Sequence, residues 1–387
     1  MTHHNTAKPY LLTGALAALL LGSAWAAPAA AEMPASVKTV IKDLKVRPET
    51  LKGWEEEQNV PAAWIEGAKK TGALKIIGSW NPNEFRKLSK PFSERYPFIE
   101  INYTRGSSNT RTQQPLIAFK QGRHVADLLT GIGGAIFLFR EANALENLAD
   151  LPNFGNIPEG MGSTKKDWAG IRTRYWCMSY NTNAMKKEDM PKRWEDLLTS
   201  EKLRGGKMAL GRLPQLWILP LWGDKGKDWA EGYVRKIFSD VKPQLRKEGM
   251  DALVSLVVAG EFNAAVASAD YRVWATARKG APVAWHCPEP VPVAISEAGI
   301  LRGAPNVHAA KLFLNWLLSK EGQLTQYHTS KETPVHKALQ NRGFSPFPAE
   351  IEGKAIAFRS PELLDTAERD MFKLWTPLWQ GAGGPKR

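Results

Sequence analysis

The sequence predicts an α/β protein built as two lobes. Its length is the first observation: of 387 residues, about 355–360 remain without an N-terminal leader, more than one hydrophobic core usually supports. The second is an alternation of short apolar strands, ending in small residues, with amphipathic helices. The third is the aromatic stretch Arg174-Tyr175-Trp176-Cys177-Met178-Ser179-Tyr180-Asn181, on either side of which that alternation falls. Tyr175, Trp176 and Tyr180 favour extended backbone, and Asn181 and Asn183 suit the turn that follows.

Residues 1–31 read as an export signal peptide. Lys8 gives the positive start, with His3 and His4 nearby, and Leu11 to Leu21 is apolar except for Thr13 and Gly14. The triplets Ala24-Trp25-Ala26 and Ala29-Ala30-Ala31 offer two cleavage sites. The apolar run is short for a membrane span of roughly 20 residues. No cysteine lies near the cleavage region, so a free periplasmic protein is expected rather than a lipid-anchored one.

Residues 33–71 form an N-terminal helical extension, with Val37 to Leu44 and Pro61 to Lys70 as helices packed on the first lobe. Leu74 to Trp80 is the first strong strand. In an open parallel sheet its end, Ser79-Trp80, faces the ligand crevice. Glu84 to Tyr96 reads as a helix with Phe85, Leu88, Phe92 and Tyr96 on one face and a kink at Pro91. Tyr96 to Tyr103 alternates as a second strand. The polar turn Arg105-Gly106-Ser107-Ser108-Asn109-Thr110-Arg111 leads into a helix over 110–121. Helix starts present free N–H groups that attract anions; the plain alternative is a cap that binds nothing. Ala126 to Gly131 is the third strand, ending in small residues from Thr130 onward, and a helix follows over 134–142.

Beyond the aromatic strand, Arg193 to Leu198 is a short helical patch and Gly205-Gly206 breaks the chain before a strand from Lys207. Leu216 to Trp222, Asp228 to Phe238 and Met250 to Ala259 read as helices, and Ala264 to Ala269 as a strand. Asp270-Tyr271-Arg272 is expected at that strand's end, pointing to a cleft. Gly280 to Pro288 returns the chain, Val291 to Ile300 continues it, and Asn306 to Ser319 is a helix. The apolar run 293–301 contains Glu297, which argues against a membrane span. A C-terminal helix starts with Ser360 as cap and Pro361 behind it, its Leu364, Ala367, Met371, Leu374, Trp375 and Leu378 forming a packing face.

The formal charge is +13, and since Lys8 is the one charged residue in the leader, the mature chain carries +12. A basic surface suits nucleic acid, membrane or small anions. The basic residues are spread out, no nucleic-acid-binding signature is present, and export argues against nucleic acid. Gly-x-Ser-x-Gly, P-loop and His-Glu-x-x-His patterns are missing, so no enzyme activity is expected. Two cysteines, Cys177 and Cys287, are too few for a disulfide scaffold, though an oxidising compartment allows one bridge.

Several motifs recur in a telling order: Leu145-Glu146-Asn147-Leu148 with Ile157-Pro158; Tyr180-Asn181-Thr182; P-x-x-W-x-D-L from Pro191; Ala259-Gly260-Glu261; Gly280-Ala281-Pro282-Val283; and A-P-N-x-x-A-A-K-L-F-L-N-W-L-L-S-x-E-G-Q over 304–323. In this order they resemble family 1 extracellular solute-binding proteins, which serve ABC importers, over about residues 62–335. The resemblance implies a type II periplasmic-binding-protein clamshell, each lobe a mixed sheet flanked by helices, joined by two crossing strands. Lobe 1 would be 72–175 with 288–345, lobe 2 176–287, and 346–387 a helical tail. It further implies a monomer without cofactor, a small solute held between the lobes, and a transient inner-membrane permease as partner. Cys177 and Cys287 would both lie on the crossing strands, neighbours in this fold, and a bridge between them is expected.

One branch of that family holds ferric iron with adjacent tyrosines. Here the place reads Asp270-Tyr271-Arg272-Val273-Trp274. A hard trivalent cation wants several anionic oxygens, and a neighbouring arginine opposes it. The expected ligand is therefore a small anion, an organophosphate, phosphonate or carboxylate, with ferric iron as the alternative and no metal-ligating residues assigned. The candidate contacts are Ser79, Trp80, Ser107, Ser108, Asn109, Thr110, Arg111, Thr130, Gly131, Arg212, Asp270, Tyr271 and Arg272. From other classes, an exported enzyme and a ligand subunit of a sensor kinase remain as alternatives.

Overall fold

The computed structural model describes residues 1–2, 32–340 and 349–385, with the exception of the Ser108 side chain. The expected signal peptide lies outside the described residues. Met33–Arg387 forms one compact unit by itself. Among the described residues no helix is long and apolar enough to cross a membrane.

Among the described residues ten strands make the frame: β1 Ala73–Gly78, β2 Glu100–Arg105, β3 Leu128–Thr130, β4 Ala169–Asn181, β5 Met208–Gly211, β6 Gln244–Arg246, β7 Ala264–Ala269, β8 Val283–His286, β9 Val291–Ile300 and β10 Ile356–Arg359. Their order is β2-β1-β3-β9-β4-β7-β5-β6, with β8 on β4 and β10 on β9. The long strand β4 is shared between two sheets. Its first half pairs antiparallel with β9, from Ala169↔Ala298 to Tyr175↔Val293. Its second half pairs with β7, from Trp176↔Ala269 to Tyr180↔Ala264, and with β8. The partner changes between Tyr175 and Trp176, from β9 to β7. The pairs β1–β2, β5–β6 and β5–β7 are parallel, as helical crossovers on the sheet faces allow, whereas β7 runs antiparallel to β4.

Each lobe has its own core. In lobe 1, Trp316, Phe313 and Phe92 close over Leu74, Ile76 and Ile300. In lobe 2, Trp194 and Trp217 pack with Met208, Leu210 and Val266. Helix Glu368–Gly381 inserts Met371, Trp375 and Trp379 into the lobe 2 core, and burying a side chain the size of Met371 contributes about 2 kcal/mol. The two N-terminal helices, Ala35–Leu44 and Ala62–Thr71, pack on lobe 1 against Lys320–Ser330 and Val307–Leu317. A disulfide joins Cys177 to Cys287, Cα atoms 4.9 Å apart, both sulfurs fully buried.

Four local expectations are corrected. The second strand begins at Glu100, because Tyr96 ends the preceding helix and bonds back to Phe92. The helix expected over 110–121 is split into Ser108–Arg111 and Gln113–Lys120; Pro115 cannot donate to the Arg111 carbonyl and crowds it. Asp270, Tyr271 and Arg272 open a helix, Asp270–Ala277, rather than finishing β7. The C-terminal segment contains a strand, β10, and two helices, Pro361–Thr366 and Glu368–Gly381. Ser360 caps the first of these as its sequence predicts, its Oγ accepting from the Leu363 amide at 3.2 Å.

Candidate functional site

A cavity of about 160 Å³ lies where β1, β3, β4 and β9 meet, beside the point at which β4 changes lobe. Ser79, Arg111, Gly131, Gly133, Arg174, Trp176, Leu216, Glu297 and Arg359 line it, with Ala294, Ile295 and Ser296 of β9. The volume is below the roughly 300–1,000 Å³ of sites for drug-sized ligands.

Alternation along β4 puts Arg172, Arg174 and Trp176 on one face. Arg172 is almost wholly buried. One arm donates to the Glu332 carboxylate at 2.7 Å and the other to Ser79 Oγ at 2.7 Å, and the guanidinium sits 4.7 Å over the Trp80 ring. Arg174 donates to the other Glu332 oxygen. Burial alone would raise the Glu332 carboxyl, but the two arginines hold it below the ordinary carboxylate range. Glu332 thus ties both arginines in place, and Arg172 in turn orients the Ser79 hydroxyl.

Arg111 is fixed through backbone carbonyls. Its Nε donates to Gly131 O at 3.0 Å and Nη1 to Gly106 O at 2.7 Å. Gly131 has φ +68° and lies so close that an added Cβ would stand 3.0 Å from Ser79 Oγ; only glycine suits both demands. The Gly131 amide donates to the Glu297 carbonyl at 2.7 Å, and the Gly133 amide donates to Glu297 Oε2 at 3.1 Å. Glu297 is buried, its Oε1 without a hydrogen-bond partner, and burial pushes its carboxyl up against the opposing pull of Arg359. Three guanidiniums, of Arg111, Arg174 and Arg359, therefore line the cavity with the carboxyl of Glu297, while Arg172 and Glu332 stand behind them, Glu332 paired to both Arg172 and Arg174.

Of the residues singled out in the sequence, Ser79, Arg111 and Gly131 come together at this cavity. Trp80 does not line the cavity: its ring is core, tilted against Phe85 and Tyr103 beneath Arg172. Thr130 is fully buried in β3. Ser107 caps the short helix that Ser108 opens, accepting from the Thr110 amide at 3.3 Å, and Asn109 is exposed there; Ser107, Asn109 and Thr110 do not line the cavity. Arg212 is exposed beyond the end of β5. Asp270 is buried, its carboxyl pushed up to about 7 by desolvation. Tyr271 is partly buried, desolvation raising its phenol although Arg174 pulls the other way. Arg272 turns away onto the Tyr271 ring and pairs with Asp251 at 3.3 Å.

Arg172, Arg174, Glu332 and Arg359 are not among the contacts expected from the sequence, in which Glu297 stands only as a charge in an apolar run. Two arginines spaced by two in an otherwise uncharged strand are the available signal.

Residues 78–324 match the family described as bacterial extracellular solute-binding protein. No curated protein sequence matches the chain. Among solved structures, IdiA (FutA) from Trichodesmium, in complex with iron and citrate, is 21% identical with a TM-score of 0.67, covering 79% of this chain and 99% of its own. Iron-bound HitA from Pseudomonas aeruginosa is 20% identical with a TM-score of 0.63, over 79% and 99% of the two chains. An ABC transporter substrate-binding protein from Bradyrhizobium japonicum is 19% identical with a TM-score of 0.62, again over 79% and 99%. At these identities the likeness is one of fold, the two-lobed type II periplasmic binding protein. With most of its length matching the family, the chain belongs to the bacterial extracellular solute-binding proteins.

Proposed function

We propose that this protein is the periplasmic binding component of an ABC importer and captures a small oxyanion, a phosphate, phosphonate or carboxylate, between its lobes. The observation that carries the reading is the cavity beside the interlobe strand, lined by Arg111, Arg174 and Arg359 with a single carboxylate, Glu297. Guanidinium groups offer a planar fork matched to oxyanions, and the whole-chain charge of +13 draws anions inward. The amides of Gly131 and Gly133 are taken by Glu297, so the arginines and the Ser79 hydroxyl are the groups offered to a solute.

Two structural neighbours carry iron in their descriptions. Here the anionic oxygens suited to a bare ferric ion are scarce. Tyr271 stands without a second adjacent tyrosine, its phenol harder to ionise than usual, and Glu332 is taken by two arginines.

The test is calorimetry on the mature protein with orthophosphate, methylphosphonate, glycerol 3-phosphate, citrate, ferric citrate, ferric ion, putrescine and maltose. An oxyanion binds saturably without turnover, more weakly as salt rises. Tight binding of putrescine, maltose or bare ferric ion, with no response to any anion, overturns the reading.

A further inference from the structure

We propose that the C-terminal segment completes the solute site, with Arg359 on β10 as a ligand-contacting guanidinium that selects for oxyanions. The proposal rests on the anion reading above and goes beyond it. The segment lies outside the 78–324 stretch that matches the family.

The register carries the first part of the argument. β10 adds parallel to β9, with Arg359 opposite Ala294, and Ala294 begins the stretch of β9 that lines the cavity. The sheet itself thus delivers the Arg359 side chain to the site. Its Nη1 makes one long contact, 3.5 Å to the Gln215 carbonyl, and its Nε is withdrawn from water without a hydrogen-bond partner. Glu297, also lining the cavity and only 2% exposed, likewise leaves Oε1 without one. Two opposite charges share a cavity, each with an unfilled hydrogen-bonding position. Leaving a buried donor unsatisfied is unfavourable, and an oxyanion in the cavity offers Arg359 a charged acceptor.

The second part is the anchorage behind the strand. Helix Pro361–Thr366 follows directly and touches both lobes. A Cβ on Gly134, in lobe 1, would lie 3.0 Å from the Leu364 Cβ, and one on Gly223, in lobe 2, 2.8 Å from a Leu363 methyl. Glycine at both places lets the helix seat closely. The turn under Leu364 is the same Gly133–Ala135 turn whose amide holds Glu297. Arg359 is therefore held from a rigid seat, as a binding residue needs, rather than from a loose tail.

The experiment compares wild type, Arg359→Gln, Arg359→Lys, Glu297→Gln and the Arg359→Gln/Glu297→Gln pair as full mature chains. Orthophosphate, methylphosphonate and citrate are the calorimetric probes, and circular dichroism and melting report the fold. Arg359→Gln is expected to weaken the best-bound probe at least tenfold. Arg359→Lys, which keeps the charge but loses the fork, is expected to weaken it too. The double variant is expected to stay weak. Wild-type affinity in both Arg359 variants overturns the proposal. Full recovery in the double variant also overturns it, because Arg359 would then serve only to neutralise Glu297. If Arg359→Gln does not fold, Arg359→Lys decides alone. Weakening by Arg111→Gln with none by Arg359→Gln or Arg359→Lys refutes this inference and leaves the anion reading standing. No binding of any probe by the wild type refutes both.

Discussion

The disulfide Cys177–Cys287 closes a loop that contains the whole of β5 to β8, the strands that complete the lobe 2 sheet on β4. Cys177 lies one residue past the change of partner in β4, paired with Ser268 of β7, and Cys287 directly follows β8. The bridge is thus a staple at the neck of lobe 2 and does not span the two lobes. Its worth follows from the loop. With a sequence separation of 110, the loop-entropy relation gives about 5 kcal/mol at 25 °C, while removal of native disulfides typically costs 2–5 kcal/mol. Spread over a lobe of this size, a loss near the upper end lowers the melting temperature on the order of 10 °C or more. The perturbation is the double substitution Cys177→Ala/Cys287→Ala, with reduced wild type as a second arm to separate the bridge from the packing of the sulfurs. Urea unfolding and melting, followed by tryptophan fluorescence, read the stability; calorimetry with orthophosphate and citrate reads binding. Expected is a large loss of stability with solute affinity preserved at temperatures where the fold persists. Melting of the reduced protein within about 2 °C of the oxidised form would refute the loop argument. Loss of binding by a still-folded variant would refute the placement of the staple within lobe 2 alone.

Glu332→Gln leaves Arg172 buried without its counter-ion and should destabilise by about 3 kcal/mol, the lower end for breaking a buried pair because Arg174 is 31% exposed. Since the Glu332 carboxyl is held low, its contribution is present above the ordinary 4.5 and lost as pH falls through the depressed value; denaturant titrations at pH 7 and pH 3 should show the variant's deficit shrinking in acid. Asp270 behaves with the opposite sign. Its carboxyl is raised from 3.8 to about 7, so the folded state holds a proton that the unfolded chain has released, and stability falls as pH rises between those values. At 1.36 kcal/mol per unit the penalty is at most about 4 kcal/mol; Asp270→Asn should raise the melting temperature at pH 8 and leave it unchanged at pH 3, and no gain at pH 8 would contradict the burial argument. Finally, the lobes are expected to rotate on binding near Tyr175–Trp176, where β4 passes from one sheet to the other, because few crossings concentrate closure into a few backbone angles; X-ray scattering should show compaction with the best-bound anion, and superposable profiles at saturation would count against it.

Local chemistry sufficed for much of this protein. Alternation and apolar runs predicted β1, β3, β4, β5 and β7, and helical spacing predicted Phe85, Leu88 and Phe92 as one buried face, because each depends on neighbours two to four residues away. Ser360 announced its helix for the same reason. The order of motifs pointed to the family. Ser79, Arg111 and Gly131 were legible because strand ends and the turns after them face the crevice of an open sheet. What only tertiary structure decided was which charges meet. Glu332 and Arg359 lie far along the chain from Arg172 and Arg174, and nothing in their own surroundings shows that β10 adds to β9 or that one carboxylate holds two arginines. Trp80 and Asp270 stand where a sequence pattern puts ligand contacts, yet the lobe cores take them in. Side-chain burial is set by the packing of distant elements, and electrostatic partners by register across sheets; neither is written in local spacing.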